Sequence, residues 1–303
     1  MAYEIAPDLN PNIPPNTHVF PLSEPGTVLT PRFDKFYSIH KATSWDLRDI
    51  PWHQIDQSRL TDDDVNGVLA AMDIESLNPV YVQTLLWMNR QDHEESAFTI
   101  LWGEQELHHY LGLRMYALAS GRVNPQDLDV RLESRRAGQW GKKERVLTPP
   151  RARTRTMMQE QVTGQFYQNF GANTHEPVLK RLLKFIEIQE FHHSGWSLEG
   201  AIILKNTDPH AIEEIEDELL NFEMPGPSFM EDYEVQGEAL RKVANPGIKD
   251  FLQALGKVER LIGKVHLAKL ITHPAYRKKL SDEWGMDLSK ITNPFGRLSF
   301  SGS

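Results

Sequence analysis

The chain has 303 residues, a formal net charge of −9 and a hydrophobic content of 40%, which is enough apolar material for a substantial core. It contains no cysteine, which excludes disulfides, thiolate zinc sites, cysteine-ligated iron–sulfur clusters and a cysteine nucleophile. The negative net charge argues against general nucleic-acid binding. The sequence contains neither a run of 18 apolar residues nor a signal-peptide pattern, so we expect a cytoplasmic protein with no membrane span.

The predicted elements begin with an extended N-terminal arm. The first 31 residues hold seven prolines and no helical period, and we assign the arm to residues 1–40. A helix is then predicted from Thr61, because three aspartates follow this residue in the pattern of an N-cap and an acidic first turn. This helix ends before Pro79, and a second one is predicted over residues 80–88.

Apolar residues at helical spacing predict three long helices and three shorter ones in the rest of the chain. The long helices are predicted over residues 92–120, 153–170 and 176–204, and the shorter ones over residues 209–221, 229–244 and 246–281. Gly121 is the expected C-terminal cap of the first long helix. Because alternating strands are scarce, we predict an all-α fold, a helical bundle that fills residues 41–281 as one domain and is followed by a tail over residues 282–303.

Basic residues are concentrated in the segment 133–156, which holds eight Lys or Arg against two acids. One interpretation is a solvated linker. The other is a docking surface for an acidic partner, which electrostatic steering would favour. Both are open at this point.

Two look-alike motifs, ELHHY at 106–110 and EFHHS at 190–194, place adjacent histidines behind a glutamate. Neighbouring residues on a helix point about 100° apart, so the two histidines of a pair cannot serve one central site equally. Of the 12 histidines, only His109 and His193 have a glutamate three residues earlier. Because residues i and i+3 share a helix face, these two are the stronger metal-ligand candidates.

The pairs therefore consist of Glu106 with His109 and of Glu190 with His193. The inner histidines, His108 and His192, are expected to support the ligands or to pack between helices. The alternative for all of them is a set of surface charges, with the imidazoles satisfied by hydrogen bonds.

A carboxylate-bridged di-iron site in a four-helix bundle needs one further glutamate from each of two other helices. Glu75 lies in the otherwise apolar stretch AAMDIESLNPVY, and Glu160 lies in TMMQEQVTGQFY, each on a separate predicted helix. Together with the two pairs they give the full complement of six ligands. A buried carboxylate needs a compensating partner, and a metal ion supplies one.

These residues carry a resemblance to the soluble acyl-acyl-carrier-protein (acyl-ACP) desaturases, the stearoyl-ACP desaturase family of ferritin-like di-iron carboxylate proteins. The most specific block is WGEQELHHYLGLRMYALASGRV, in which Trp102, Glu106, His109 and the closing SGRV stand at the family's spacings. ESLNPVY around Glu75 and QEQVT around Glu160 resemble the stretches that hold the family's single-carboxylate ligands. Glu190 with His193 matches the second Glu-x-x-His, and the likeness extends from about residue 41 to 205.

The resemblance implies a ferritin-like four-helix bundle with additional helices that binds two iron ions. It also implies an enzyme that uses O2 and two electrons to introduce a double bond into an acyl chain carried by acyl carrier protein. A ferredoxin-type electron donor and a homodimer are implied as partners. Thr163 matches a hydroxyl that can pass protons, and Trp45 and Trp102 match positions on the electron path. A threonine at this position can also donate to its own helix carbonyl, which is the alternative for Thr163.

The chain departs from the family at two kinds of position. Gln189 stands where an aspartate is usual before the second glutamate ligand, and His108 and His192 stand where arginine is usual before the histidine ligands. Two other functions stay open. One is a di-iron oxygenase of the N-oxygenase or hydroxylase type, of which the N-oxygenases typically recruit an additional histidine. The other is a ferritin-like iron-binding protein without catalysis.

Overall fold

The computed structural model describes residues 30–137, 147–224 and 232–278, and these ranges contain helices and no strands. The helices in these parts of the chain are α1 Pro31–Thr43, α2 Asp62–Glu75, α3 Asn78–Asn89, α4 His93–Ala119, α5 Pro125–Ala137, α6 Pro149–Asn173, α7 Pro177–Thr207, α8 Ala211–Leu220, α9 Tyr233–Ala244 and α10 Ile248–Thr272, and residues 274–278 are helical as well. Two 3-10 turns, Leu47–Asp49 and Trp52–Gln54, connect α1 to α2. The predicted all-α class is confirmed.

Four of these helices form the central bundle. The chain runs up α6 and back down α7 through the short link 174–176, and these two long helices pack along their lengths. Helix α4 packs against α2 on one side and against α7 on the other. The bundle therefore combines two helix pairs, α2 with α4 and α6 with α7, and every predicted ligand lies on one of them.

An apolar core fills the bundle on one side of its polar centre. Met72 of α2, Leu113 of α4, Phe170 of α6 and Leu183 of α7 are all fully buried in one cluster. Burying a side chain of this size stabilises the fold by about 2 kcal/mol. Smaller clusters dock α1 and α3 near one end and α8 and α10 against the outer face of α6 and α7.

Capping residues fix where the bundle helices begin. Thr61 accepts a hydrogen bond from the Asp64 amide, and the Asp64 carboxylate accepts one from the Thr61 amide, so α2 begins at the predicted residue. Glu176 caps α7 through the Leu179 amide at 2.6 Å, and its carboxylate also accepts from the Tyr116 hydroxyl of α4 at 2.8 Å. This carboxylate therefore ties the start of α7 to α4.

Several predicted boundaries need correction. Residues 31–40 were predicted as part of an extended arm, but they lie in α1, because Thr30 caps the helix and Pro31 occupies its first turn, where proline is tolerated. Proline has the same effect at the start of α6, which begins at Pro149 rather than at residue 153. Residues 1–29 of the arm and the tail 282–303 lie outside the described residues.

The helix ends agree with the predictions in one case and differ in another. Gly121 has φ of +67° and follows α4, as predicted for a C-terminal cap. The last predicted helix, residues 246–281, begins at Ile248 and kinks at Gly263, whose φ of 81° is not helical. It is interrupted at His273, residues 274–278 are helical again, and residues 279–281 lie outside the described residues. Among the described helices, none is both long and apolar enough to cross a lipid bilayer.

Candidate metal centre

The centre of the bundle holds a buried cluster of carboxylates and imidazoles. Its six members are the residues that the sequence predicts as ligands: Glu75 on α2, Glu106 and His109 on α4, Glu160 on α6, and Glu190 and His193 on α7. Each is less than a tenth exposed, and both histidines are completely buried. The structure therefore brings all six predicted side chains together.

The cluster divides into two overlapping groups of potential ligands. Glu75 and His109 belong to the first group, Glu160 and His193 belong to the second, and Glu106 and Glu190 belong to both. Within each group the ligand atoms lie within 4.8 Å of one another. Two carboxylates shared between two groups are the arrangement that bridges a pair of metal ions.

The imidazole Nδ1 atoms face the shared carboxylates. His109 Nδ1 lies 3.4 Å from Glu106 Oε2 and 3.3 Å from Glu190 Oε1. His193 Nδ1 lies 3.1 Å from Glu106 Oε1 and 3.5 Å from Glu160 Oε2. Glu106 is thus held between the two histidines, one on each of its oxygens.

The cluster contains polar atoms that a cation would satisfy. His109 Nδ1, His193 Nδ1, Glu106 Oε1 and Glu190 Oε1 are buried, and none has a correctly oriented hydrogen-bond partner among the described residues. Leaving a buried polar atom unpaired costs about 1–3 kcal/mol, and more for a charged group. Four such atoms converging on one point, with only oxygen and imidazole donors, fit iron or another divalent transition metal.

A glutamine orients each histidine. His109 Nε2 donates to Gln189 Oε1 at 2.9 Å, and His193 Nε2 donates to Gln105 Oε1 at 2.7 Å. An amide oxygen only accepts, so the proton sits on Nε2 and leaves the Nδ1 lone pair for a metal ion. Each glutamine directly precedes a cluster glutamate, and it binds the histidine of the opposite ligand helix.

The protonation of the cluster follows from its burial. Burial raises the pKa of the Glu75 and Glu190 carboxyl groups well above their ordinary range, and the nearby Glu106 carboxylate adds to this. Burial opposes ionisation of Glu106 too, but the two histidines outweigh it and lower its pKa. Burial also acts against a charged His193, yet the carboxylates of Glu106 and Glu160 raise its pKa to about 9.

Metal binding is therefore expected to release protons. The raised pKa values of Glu75, Glu190 and His193 favour their protonated forms in the metal-free cluster, and ligation must displace those protons, so metal binding should release protons into the solution. Metal affinity should fall as the pH is lowered. The measurement is titration of metal-free protein with Fe²⁺ or Co²⁺ in weakly buffered solution containing a pH indicator.

The stability of the metal-free protein should show the opposite pH dependence. The folded pKa of His193, about 9, lies above the ordinary 6.5, so its stabilisation is complete below pH 6.5 and is lost as the pH rises through 9. The raised pKa values of the two acids act in the same direction. Melting temperatures measured between pH 6 and 9 should fall without metal, and a flat profile would contradict this protonation pattern.

One member of the site was not predicted. Tyr167 of α6 is buried, and its hydroxyl donates to Glu75 Oε1 at 2.5 Å. Burial and the Glu75 carboxyl raise the pKa of Tyr167 well above its usual value, so it stays a donor. The sequence could have predicted this residue, because Tyr167 follows Glu160 by seven residues and the two side chains therefore lie on one face of α6.

The predicted proton donor Thr163 makes a different contact. Its hydroxyl donates to the Gln159 carbonyl at 3.0 Å, one turn earlier on α6. No hydrogen bond joins it to the cluster among the described residues. Thr163 therefore makes the contact that was the alternative to a proton-transfer role, in which its hydroxyl donates to a carbonyl of its own helix.

The two predicted electron-path tryptophans lie near different histidines of the cluster. Trp45 Nε1 donates to Gln189 Oε1 at 2.9 Å, so one amide oxygen joins this indole to His109. Trp102 of α4 packs edge-on against the His193 ring, with centroids 6.4 Å apart. Each tryptophan is therefore adjacent to one imidazole of the cluster.

The inner histidines point away from the cluster. His108 Nδ1 lies 2.9 Å from the Glu104 carbonyl, and its ring packs edge-on against Trp45. His192 stacks on Phe36 of α1 with ring centroids 4.6 Å apart. Burial, with the nearby His193 charge, lowers the pKa of His192 to about 3, so at neutral pH it is an uncharged aromatic packing residue.

No protein-family model and no curated protein matches the sequence. Among solved structures, the candidate acyl-ACP desaturase DesA2 from Mycobacterium tuberculosis H37Rv matches 82% of this chain and 96% of its own, with 18% identity and a TM-score of 0.53. The chain has the ferritin-like fold of that desaturase. An R2-like ligand-binding oxidase with a Mn/Fe cofactor also matches, over 79% of this chain and 92% of its own, with 17% identity and a TM-score of 0.46.

Proposed function

We propose that this ferritin-like protein is an O2-dependent oxidoreductase that binds two iron ions at the buried cluster. The observation that carries the proposal is the pair of overlapping ligand groups that share Glu106 and Glu190. Glu75 with His109 would complete one iron site, and Glu160 with His193 would complete the other. Bound iron would supply the activation of O2, a reaction for which the side chains of this protein have no chemistry of their own.

The substrate we propose is an acyl chain carried by acyl carrier protein, into which the enzyme introduces a double bond. Support comes from the desaturase-like block around Trp102, Glu106 and His109 and from the fold shared with DesA2. In the balanced reaction, a –CH2–CH2– unit, O2, two electrons and two protons give –CH=CH– and two waters. The two electrons would come from a ferredoxin-type donor.

The residues of the chain would contribute orientation and exclusion of water. Gln105 and Gln189 hold the two imidazoles with Nδ1 facing the centre, and Tyr167 orients the Glu75 carboxyl. The near-complete burial of all six ligands keeps bulk water from the reacting centre. Thr163 would act on protons only after giving up its bond to Gln159.

The basic segment 133–156, proposed to dock acyl carrier protein, has fewer free cations than its sequence suggests. Its described arginines are already paired with acids of this chain: Arg135 with Asp232, Arg151 with Asp217, Arg153 with Glu95 and Arg155 with Glu218. The cations that remain for an acidic partner are Arg136, Lys142, Lys143 and Arg145, whose side chains lie outside the described part of the chain. The docking hypothesis therefore depends on those four.

A homodimer is the assembly we propose, and the surface of α3 and α4 supports it. Ile100, Leu107 and Met115 form a stripe of exposed apolar side chains along one face of α4, and Trp87 is exposed on the neighbouring helix α3. Exposed apolar side chains grouped on one helix face are typical of an interface between chains. We propose that a second copy of the chain covers it.

Charges placed in this stripe should prevent dimerisation. The double variant Ile100→Glu/Leu107→Glu is expected to sediment as a monomer at concentrations where the unchanged chain is a dimer, because two carboxylates would be desolvated per subunit. Val265→Glu is the matched control, since Val265 is 69% exposed on α10, away from the stripe. Dimers that persist in the double variant would place the interface elsewhere.

Two other functions are less well supported by the geometry. An N-oxygenase site would recruit an additional histidine, but His108 and His192 pack against Trp45 and Phe36. A ferritin-like iron-binding protein would need the cluster but not the indole–amide–imidazole connection from Trp45 through Gln189 to His109. The desaturase is therefore the function we favour.

The deciding experiment is a single-turnover reaction. Iron-loaded protein is reduced without oxygen and exposed to O2 with acyl-ACPs of several chain lengths, and the released acyl chains are weighed by mass spectrometry. Loss of two mass units supports desaturation and gain of sixteen indicates hydroxylation. Rapid iron oxidation with every acyl chain unchanged would favour the iron-binding function instead.

A further inference from the structure

A cleft opens on the outer side of the α6–α7 pair, where α10 packs across it. Its volume is about 510 Å³, within the range of small-molecule binding sites. Gln161 of α6, Phe191 and Gly195 of α7, and Lys257 and Arg260 of α10 lie in its wall. The predicted ligands do not line it, so this cleft is separate from the buried cluster.

Two cations lie in the cleft, and the carboxylate that also lines it, Glu199, is paired with Lys35 instead. Lys257 and Arg260 are one turn apart on α10, and no carboxylate of the described residues lies within 4 Å of either. The Lys257 ammonium is partly buried and donates to Ser194 Oγ at 2.6 Å. Burial and the neighbouring Arg260 charge lower the pKa of Lys257 to about 8. Two adjacent positive charges favour the binding of an anion.

The cleft also contains an unused acceptor. Gln161 is 3% exposed, and its Oε1 has no hydrogen-bond partner among the described residues. A ligand with an N–H or O–H group would satisfy this oxygen. Phe191 and Leu198 add apolar wall, so the cleft suits a chain-like molecule that has a charged end.

The position of the cleft connects it to the chemistry of the cluster. Gln161 directly follows Glu160, Phe191 directly follows Glu190, and the Lys257 partner Ser194 directly follows His193. An ideal Cβ at Gly164 would lie 2.9 Å from two carbons of the Phe191 ring. The missing side chain at Gly164 therefore lets this ring lie in the contact between α6 and α7.

We propose that this cleft binds an oxyanion, a phosphate or a carboxylate, at the end of an extended substrate. Lys257 and Arg260 neutralise the charge, and Gln161 accepts a hydrogen bond where the attached chain carries an N–H or O–H group, as 4′-phosphopantetheine does. The identity of the substrate rests on the proposed function, whereas the binding of the oxyanion does not. The site can therefore be tested on metal-free protein.

Calorimetry on the metal-free full-length chain tests the site with four probes: 4′-phosphopantetheine, dodecanoate, dodecanol and inorganic phosphate. Lys257→Met and Arg260→Met should each weaken binding of the charged chain about tenfold, since a charge-assisted hydrogen bond is lost. Lys264→Met is the matched control, because Lys264 is on the same helix with its side chain 76% exposed. It should leave binding unchanged.

Gly195→Leu gives an independent test that leaves the cations in place. Nothing lies within 4 Å of an ideal Cβ at Gly195, so the added side chain enters the cleft and should block the probes without disturbing the fold. Circular dichroism and melting temperature check that every variant is folded. Because Arg260 is exposed, Arg260→Met should fold normally, and it tests the site even if another variant does not fold.

The probes distinguish the possible sources of the oxyanion. Preferred binding of 4′-phosphopantetheine supports the prosthetic group of a carrier protein as the source, and preferred binding of dodecanoate supports a free fatty acid. Equal binding of dodecanol, no binding of either charged chain, or binding that survives both methionine variants and Gly195→Leu would overturn the site. Binding that holds while the iron-loaded protein leaves acyl chains unchanged would reject the proposed function alone.

Discussion

Replacing Glu106 with alanine is expected to remove both metal ions, lowering the content from about two per chain to nearly zero and abolishing turnover. The reason is geometric, since the Glu106 carboxylate belongs to both ligand groups and faces both histidines. Glu75→Ala removes a ligand from one group only, and it should retain about one ion per chain. Plasma mass spectrometry of each purified, iron-loaded variant measures the number of metal ions per chain.

The neighbouring glutamate provides the control for this prediction. Glu104 lies on the same helix, but its side chain is half exposed and contacts His40 and His108 rather than the cluster. Glu104→Ala should keep two ions and normal turnover. Glu106→Ala protein that still binds two ions would show that Glu106 is not needed to hold either ion, and equal losses from Glu75→Ala would show that the two ligand groups do not bind their ions separately.

The ligand set could be predicted from the sequence because it depends on local helix geometry. The i, i+3 spacing of Glu106 with His109 and of Glu190 with His193 already places each pair on one helix face. Which carboxylates are shared depends on how α4 and α7 face each other across the bundle. The packing of distant helices leaves no local pattern in the sequence, so the sharing of Glu106 and Glu190 could be seen only in the structure.

The errors have equally specific causes. Prolines suggested an extended segment around Pro31, but a proline in the first turn costs a helix nothing, and Thr30 supplies the cap. Tyr167 was missed because a tyrosine at helical spacing is usually a core residue, and its hydroxyl reaches Glu75 on another helix. Gln189 was noticed only as a departure from a family pattern, although its oxygen accepts from two elements of the site.

Gln189 is the residue whose replacement should next most strongly change the centre. Its Oε1 accepts from both His109 Nε2 and Trp45 Nε1 at 2.9 Å, and its Nε2 donates to the Thr43 carbonyl at 3.0 Å. Gln189→Leu keeps the bulk but leaves two buried donors unpaired. We expect a loss of about 2–4 kcal/mol in the free energy of unfolding of the metal-free protein and about 10–100-fold weaker metal binding.

Gln189→Glu separates orientation from charge at the same position. It keeps the acceptor for His109 and Trp45 and adds a buried negative charge, which favours the oxidised metal ions, so the reduction potential should fall while metal binding is retained. Potentiometric titration of the iron-loaded protein measures this, with Gln83→Leu on the exposed side of α3 as the control. An unchanged potential in Gln189→Glu, together with normal metal affinity in Gln189→Leu, would mean that His109 is held by its packing rather than by this amide. A lowered reduction potential in Gln189→Glu would mean instead that the uncharged side chain of Gln189 keeps the potential higher than a carboxylate at this position would.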